Sequence, residues 1–576
     1  MKKKIMNILV GGPAGSGIES AGLLLGQALN RDGASVVIAN EIMSLIRGGH
    51  NYNRVRFSYF EEVLCHDETV DIAVSLDQEG ITEHLSQLSE GGVFIYDSVL
   101  NVEGVEAPKG VELMSVDLSE TAKELGGDIY KNTVAMGVVL GLIGEELDFF
   151  EKLLRERFEK KGAEVVDANL KALRAGSGFA KEARFELEKG TEFAGEMLLN
   201  GNDATCLGAV AAGCKFVAAY PMTPASSIMH TMAAWGREKG IVMKHAEDEI
   251  AAMNMIVGAG FAGARSMTAT SGGGFALMTE AVGLAGCAEV PCVVVNSQRV
   301  GPSTGLPTKT EQGDLRQVMH ASQGDFPKLV MAPGDVQECF SMAFDAFNFA
   351  DKYQIPVLLL LDKYLSESSV SFKAFEATDL SIDRGKILDE AGVAGVSEGG
   401  FFKRYADAED GVSGRTLPGL PGGEHVTTSY ETDEFGDLLE DRENRVLEME
   451  KRMRKMDGIL AELEKPVLIG APAEEAEITF VAFGSMKTTL EEVVARLGET
   501  GMKTNILMIK YLVPFHAEEV GAILNAAKKA VLVEQNYSAM LGGVIRENTG
   551  FDFKEKILKY DGRQMDSNFI INKLAS

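Results

Sequence analysis

Strand-like runs that end in glycine turns and lead into small-residue helices recur along most of this chain, and that alternation restricts the fold more than any other feature. KIMNILVGG is an apolar strand pattern running into glycines, SAGLLLGQALNRDG is an amphipathic helix closed by Gly33, and ASVVIAN is the next strand. NRVRFSYF, VDIAVSLD, GGVFIYDSV and VELMSV follow at the same pitch. Strand, turn, helix, strand in this order implies a mostly parallel sheet with helices on its faces. The pattern resumes in KFVAAYP, GARSMTATSG, VPCVVVNS and QIPVLLLLDKYLSES, and again in AEITFVAFGS, KTNILMIKYLVPF and KAVLVEQN. The expected fold class is therefore α/β, with three successive, mostly parallel α/β domains at residues 1–185, 201–370 and 471–576. Residues 186–200 read as a linker. Residues 371–470 read as a Gly-, Pro- and Asp-rich loop followed by one charged amphipathic packing helix, ENRVLEMEKRMRKMDGILAEL.

At 576 residues and 45% hydrophobic, the chain can bury several cores. A net charge of −29 argues against a nucleic-acid partner, since neutralising phosphates requires clustered Lys and Arg. No run approaches the roughly 18 apolar residues of a membrane span. The basic start MKKKIMNILVGG reads as a first strand and not as a signal peptide, so a cytoplasmic location is expected. None of the six cysteines forms a C-x-x-C pair, so the common zinc and iron–sulfur spacings are absent. If the protein moves electrons through a cluster, another chain must hold it.

The segment from Tyr220 to Thr308 concentrates the candidate chemistry. In YPMTPASS two prolines fix an extended backbone around Thr223, although a proline turn before a capped helix explains the string equally well. HAEDEIAAMNMIVGAGFAGAR places Glu247, Asp248 and Glu249 at a helix start, where the helix dipole favours acids whatever their function. TATSGGGFALMTEA is a strand entering a helix through Gly272, Gly273 and Gly274. NSQRVGPSTGLPTKT carries Arg299 at a strand end, then Ser303, Thr304 and Thr308. A guanidinium flanked by hydroxyls suits a small carboxylic acid, and a structural ion pair is its plain alternative. Nearer the start, GGPAGSG lies between a strand and a helix, so Gly12, Gly15 and Gly17 suit either an anion site or a tight turn. The following RGGHNYNRVRFS, with Arg47, His50, Asn51 and Arg54, reads as a basic island or a docking surface.

Together these strings resemble the α-subunit of thiamine-diphosphate-dependent 2-oxoacid:ferredoxin oxidoreductases, in the type with a γ-domain fused ahead of the α-part and most like the 2-oxoglutarate enzymes. YPMTPASS matches YPITPSS, GPSTGLPT matches closely, and KRYADAEDGVSGRTLPG, KYLVPFH, VEQN and KYDGRQM extend the likeness over essentially the whole chain. Met222, His230 and Gly273 depart from the usual Ile, Glu and Pro. The resemblance implies a γ-type first domain, a second domain on the pyrimidine side of thiamine diphosphate, and a transketolase C-terminal-like third domain. It implies that Glu249 contacts N1′ of the aminopyrimidine, and that Thr223, Arg299 and Thr308 bind substrate. Pro221 and Gly272–Gly274 would shape the cofactor pocket, and Gly12, Gly15, Gly17, Arg47 and His50 would lie by coenzyme A. A β-subunit would supply the diphosphate site, Mg²⁺ and a [4Fe–4S] cluster, since no GDG followed by Asn occurs here. The expected activity is CoA-dependent oxidative decarboxylation of a 2-oxoacid, 2-oxoglutarate foremost, with electrons passing to ferredoxin from an αβ or (αβ)2 assembly. The alternatives are a thiamine enzyme acting on indolepyruvate or a branched-chain 2-oxoacid, and a non-catalytic scaffold or regulatory paralogue.

Overall fold

A computed structural model describes residues 2–43, 48–190, 193, 196–375 and 380–576. They form two compact units. The first takes the described residues up to Asn200, joined by Glu367–Phe375 and Asp566–Ser576. Its eight-stranded sheet runs Glu112–Val116, Leu88–Asp97, Val70–Ser75, Met6–Pro13, His50–Ser58, Ser35–Glu41, Ser369–Phe372, Met197–Asn200. The first four strands are parallel to one another, and from Met6–Pro13 outward every pairing is antiparallel. Met197–Asn200, inside the stretch expected as a linker, is thus an outer strand of this sheet, and the second unit opens at Gly201.

His50–Ser58 is buried along its whole length, which corrects the reading of this segment as a basic surface island. Its arginines turn inward because backbone carbonyls satisfy them. Arg54 donates to the carbonyls of Asp67 and Glu68, and Arg56 to that of Cys65. On one face of the sheet, helices Lys131–Ile143 and Ala163–Phe179 approach so closely that a Cβ on Gly137 would lie 2.1 Å from the Leu173 carbonyl oxygen.

The second unit holds Gly201–Ser366 and the described residues from 380 to Met565. Its seven-stranded sheet runs Val242–His245, Phe216–Ala219, Ser266–Thr270, Cys292–Gln298, Pro356–Asp362, Leu329–Met331, Tyr511–Val513. All of its pairings are parallel except the last. A five-stranded sheet runs Leu468–Gly470, Thr504–Met508, Ile478–Ala482, Ala530–Glu534, Glu555–Leu558, antiparallel only at its first pair. One apolar core draws on both sheets, with Val294 and Leu358 from the larger and Leu507 and Leu532 from the smaller. Strand Tyr511–Val513 leaves the smaller sheet's chain to edge the larger, which explains why the two make one unit.

Between the sheets, the Gly- and Pro-rich connector is held by buried charge. Asp351, 2% exposed, takes ion pairs from Arg265, Arg384 and Arg415. Arg384 also donates to the Gly263 carbonyl, just beyond the C-terminus of helix Glu249–Phe261, and Arg265 to that of Ala212, beyond helix Gly201–Ala211. Cations at helix C-termini complement the dipole and its unpaired carbonyls. The charged helix Arg442–Glu462 does not turn all its charges to water. Lys451 and Lys455 are buried against Glu289, and burial pushes the Lys455 ammonium down to about 8 while these lysines hold the Glu289 carboxyl below its usual range.

Replacing Asp351 by Ala leaves buried guanidinium groups without their carboxylate. The expected loss is about 3–5 kcal/mol in denaturant unfolding of this unit, with Asp351→Asn intermediate.

Candidate functional site

Strand Phe216–Ala219 pairs with Val242–His245 on one side and Ser266–Thr270 on the other. The loops leaving its own C-terminal end and that of Ser266–Thr270 therefore diverge. In open parallel sheets this topological switch point is where a ligand crevice forms. Tyr220–Pro224 follows the first strand, Ser271–Gly274 the second, and Arg299 follows Cys292–Gln298. The geometry links them directly: Arg299 donates from Nη1 to the Thr223 carbonyl oxygen at 2.8 Å. A cleft of about 710 Å³ opens here, with Met222, Gly272, Gly273, Arg299, Thr304 and Asp314 on its walls.

Glu249 is the first residue of helix Glu249–Phe261. Asp248 caps that helix by accepting the Ala251 N–H at 2.7 Å, which spares Glu249 the capping role. Glu249 is 3% exposed, yet its Oε1 has no hydrogen-bond partner among the described residues. A Cβ added to Gly274 would lie 2.5 Å from that oxygen and 2.2 Å from Thr270 Oγ1. Glycine at 274 is thus the condition for Glu249 to sit where it does. A buried carboxylate oxygen beside a glycine-lined helix start suits a flat ring that donates an N–H, such as an aminopyrimidine.

The three glycines form the first turn of helix Gly272–Cys287 and not a loop. Gly273 faces open space, whereas a Cβ on Gly272 would lie 2.4 Å from both carboxylate oxygens of Asp314. Asp314 was given no role by the sequence reading. Asn296 Nδ2 donates to its Oδ2 at 3.1 Å, and Gln298 Oε1 accepts its N–H at 3.0 Å. Burial raises its carboxyl above the usual range, against the pull of Asn296, Arg299 and the Gly272 N–H. Burial likewise lowers the Arg299 guanidinium, opposed by Asp314. Nothing periodic in the sequence marks Asp314, because it serves a helix that begins more than forty residues earlier.

The cleft therefore gathers Gly272, Gly273 and Arg299, with Thr223 attached through its carbonyl. It does not gather the rest: Thr304 stands on the wall and Thr308 does not, Pro221 is exposed outside it, and neither Glu249 nor Gly274 lines it. Among the described residues, no group of three or more His, Cys, Asp or Glu side chains is placed to hold a metal ion. No helix among them is long and apolar enough to cross a membrane.

In the first unit, Gly15 and Gly17, both at φ +83, lead into helix Ile18–Arg31 and line a cavity of about 440 Å³ with Ser16 and Asn132. The other members of the expected anion site are elsewhere. Gly12 packs against Ile18 and Leu76, and Arg47 lies outside the described residues. His50 is buried with both ring nitrogens engaged, Nδ1 with Asp77 at 2.9 Å and Nε2 with His84 at 2.8 Å, so it cannot also hold an anion. Packing explains the change: Gly11 and Gly80 admit the ring, since a Cβ on either would fall within 2.7 Å of it.

Three family models match in order: pyruvate ferredoxin/flavodoxin oxidoreductase over residues 7–179, its thiamine-diphosphate-binding domain over 207–389, and pyruvate:ferredoxin oxidoreductase core domain II over 476–568. Subunit alpha of 2-oxoacid:ferredoxin oxidoreductase 2 from Aeropyrum pernix is 32% identical over 98% of this chain and 96% of its own length. The KorA subunit of 2-oxoglutarate oxidoreductase from Mycobacterium tuberculosis is 33% identical over 82% of this chain and 76% of its own. The solved structure of 2-oxoglutarate:ferredoxin oxidoreductase from Magnetococcus marinus, with 2-oxoglutarate, coenzyme A and succinyl-CoA bound, superposes with a TM-score of 0.92 at 33% identity, covering 100% of this chain and 99% of that one.

The buried histidine pair carries a pH signature. Burial, with the nearby His50 and Arg54, lowers His84 to about 3. Its contribution to stability is complete above the ordinary histidine value near 6.5 and is lost as pH falls from there towards 3, because the unfolded chain binds the proton first. Urea unfolding of the first unit should weaken by up to about 1.4 kcal/mol per pH unit across that window, and His84→Gln should flatten the dependence.

Proposed function

The chain belongs to the family of 2-oxoacid:ferredoxin oxidoreductase α-subunits, and from that membership we propose that it binds the pyrimidine side of thiamine diphosphate and the carboxylate of a 2-oxoacid, 2-oxoglutarate foremost. The overall change is 2-oxoacid plus coenzyme A plus two oxidised ferredoxins to acyl-CoA, carbon dioxide, a proton and two reduced ferredoxins. When bound, thiamine diphosphate supplies a carbon nucleophile for the 2-oxo carbon and an electron sink for the decarboxylation. The chain's own residues account for binding, orientation and one proton contact.

The partnerless Oε1 of Glu249 is the observation that carries this reading. In it, Oε1 accepts a hydrogen bond from N1′ of the aminopyrimidine and biases that ring towards the tautomer that can take up a proton. Asp248 caps the helix, Gly274 leaves the room, and Arg384 holds the far end, so the carboxylate is pre-positioned. Arg299 pairs with the substrate carboxylate while one of its nitrogens stays on the Thr223 carbonyl, fixing the plane of the guanidinium. The Thr223 hydroxyl and the loop from Ser303 to Thr308 complete the grip, with Thr304 the threonine of that loop on the cleft wall.

A β-subunit is proposed to cover the helices Glu249–Phe261 and Gly272–Cys287 and to bring the diphosphate site, Mg²⁺ and the [4Fe–4S] cluster. Both helices are rich in Ala, Gly and Met on every side, and they leave Ile250 and Leu277 about half exposed beside the site. Of the six cysteines, five are buried and Cys287 partly so. Coenzyme A is proposed as acyl acceptor, with Gly15 and Gly17 as the part of the expected anion loop that opens on a cavity.

Co-expressed with its β-subunit and loaded with thiamine diphosphate, the protein should reduce viologen anaerobically with coenzyme A and one 2-oxoacid among 2-oxoglutarate, pyruvate and a branched-chain acid. Glu249→Gln should lower that rate at least about a hundredfold while the β-subunit still co-purifies. Near wild-type turnover in this variant would refute the role given to Glu249.

A further inference from the structure

Helix Gly272–Cys287 begins in an unusual way. Ser271 occupies its N-cap position with extended backbone, where a serine ordinarily accepts an N–H of the first turn through its hydroxyl. Here it makes no such bond. Asp314, which comes from a different loop, is steadied by Asn296 Nδ2 and approaches this helix start so closely that a Cβ on Gly272 would lie 2.4 Å from its carboxylate oxygens. It precedes helix Leu315–His320 but does not cap it with its side chain.

The first turn thus leaves the Ser271 hydroxyl unused. Ser271 is 0% exposed and its Oγ has no hydrogen-bond partner among the described residues, an arrangement that costs stability unless something else uses the hydroxyl. Ser271 stands on the wall of the cleft that also holds Gly272, Gly273 and Arg299. We propose that Ser271 is a substrate-binding residue whose Oγ donates a hydrogen bond to an oxygen of the 2-oxoacid held by Arg299. This assignment rests on the reading of the cleft as the 2-oxoacid site.

The test uses the full complex with its β-subunit and the 2-oxoacid that the wild type turns over best. Ser271→Ala should raise KM for that acid roughly tenfold, the effect of one hydrogen bond to a charged acceptor, with kcat changed less than about twofold. KM for thiamine diphosphate should not move, and Ser271→Thr should restore most of the affinity for the acid. The free chain carrying Ser271→Ala should melt at or above the wild-type temperature, because the hydroxyl it loses has no partner there. An unchanged KM for the acid, a shift confined to thiamine diphosphate, or a lower melting temperature each overturns the assignment. A wild-type complex that turns over no 2-oxoacid overturns the functional reading and this assignment with it, whereas an active wild type matched by Ser271→Ala overturns the assignment alone.

Discussion

A carboxylate oxygen can remain buried without a partner only when the surrounding structure holds it there, and the arrangement of the second unit follows from how Glu249 is held. Its helix is secured at both ends by other residues. Asp248 takes the first-turn N–H that would otherwise draw Glu249 into capping, and Arg384 reaches from the connector to the carbonyl beyond the last turn. Arg384 is held in turn by Asp351, which also gathers Arg265 and Arg415. The Gly- and Pro-rich connector is thus a strap that fixes a helix, and the buried charge within it has a mechanical purpose. On the front side, Gly272 and Gly274 let a carboxylate approach each of two positions on one helix start, Asp314 at the first and Glu249 at the second.

In the proposed reading the chain presents one side of a site that a partner completes. Helices Glu249–Phe261 and Gly272–Cys287 carry few charges, and each leaves one large apolar side chain, Ile250 and Leu277, about half exposed. A partner covering that face would bury apolar area and lower the local dielectric around Glu249 and Arg299 together, strengthening the contacts on which ligand binding depends. This links assembly to chemistry without any change in the chain's own geometry.

Much of the plan was legible because it is local. The strand, glycine turn and helix order predicted the α/β sheets, and the head of the small-residue helix was marked by Glu247, Asp248 and Glu249, of which the family resemblance singled out Glu249. Arg299 at a strand end was legible for the same reason, since residues at the carboxyl ends of parallel strands face the crevice. Asp314 was not legible, because its partner helix begins far upstream and no spacing rule connects them. The same holds for Arg54 and Arg56, which look like surface charge until the carbonyls of Asp67, Glu68 and Cys65 are brought to them. His50 looked like an anion ligand beside a glycine loop, and only the placement of Asp77 and His84 shows its ring already engaged.

By itself, the order of residues determined the succession of α/β domains, the positions of the turns, and the placing of acids at the head of one helix and of a guanidinium at one strand end. These depend on hydrophobic period, glycine and proline chemistry, and helix-end preference, all read within a dozen residues. Tertiary structure alone decided that the outer strands of the first sheet come from three separated stretches, that the second and third sheets share one core, and that Ser271 is buried with its hydroxyl unused while Asp314 reaches the same helix start from another loop. Such outcomes depend on which groups meet across the fold and on which buried polar atoms are left without a partner, and no local pattern encodes either.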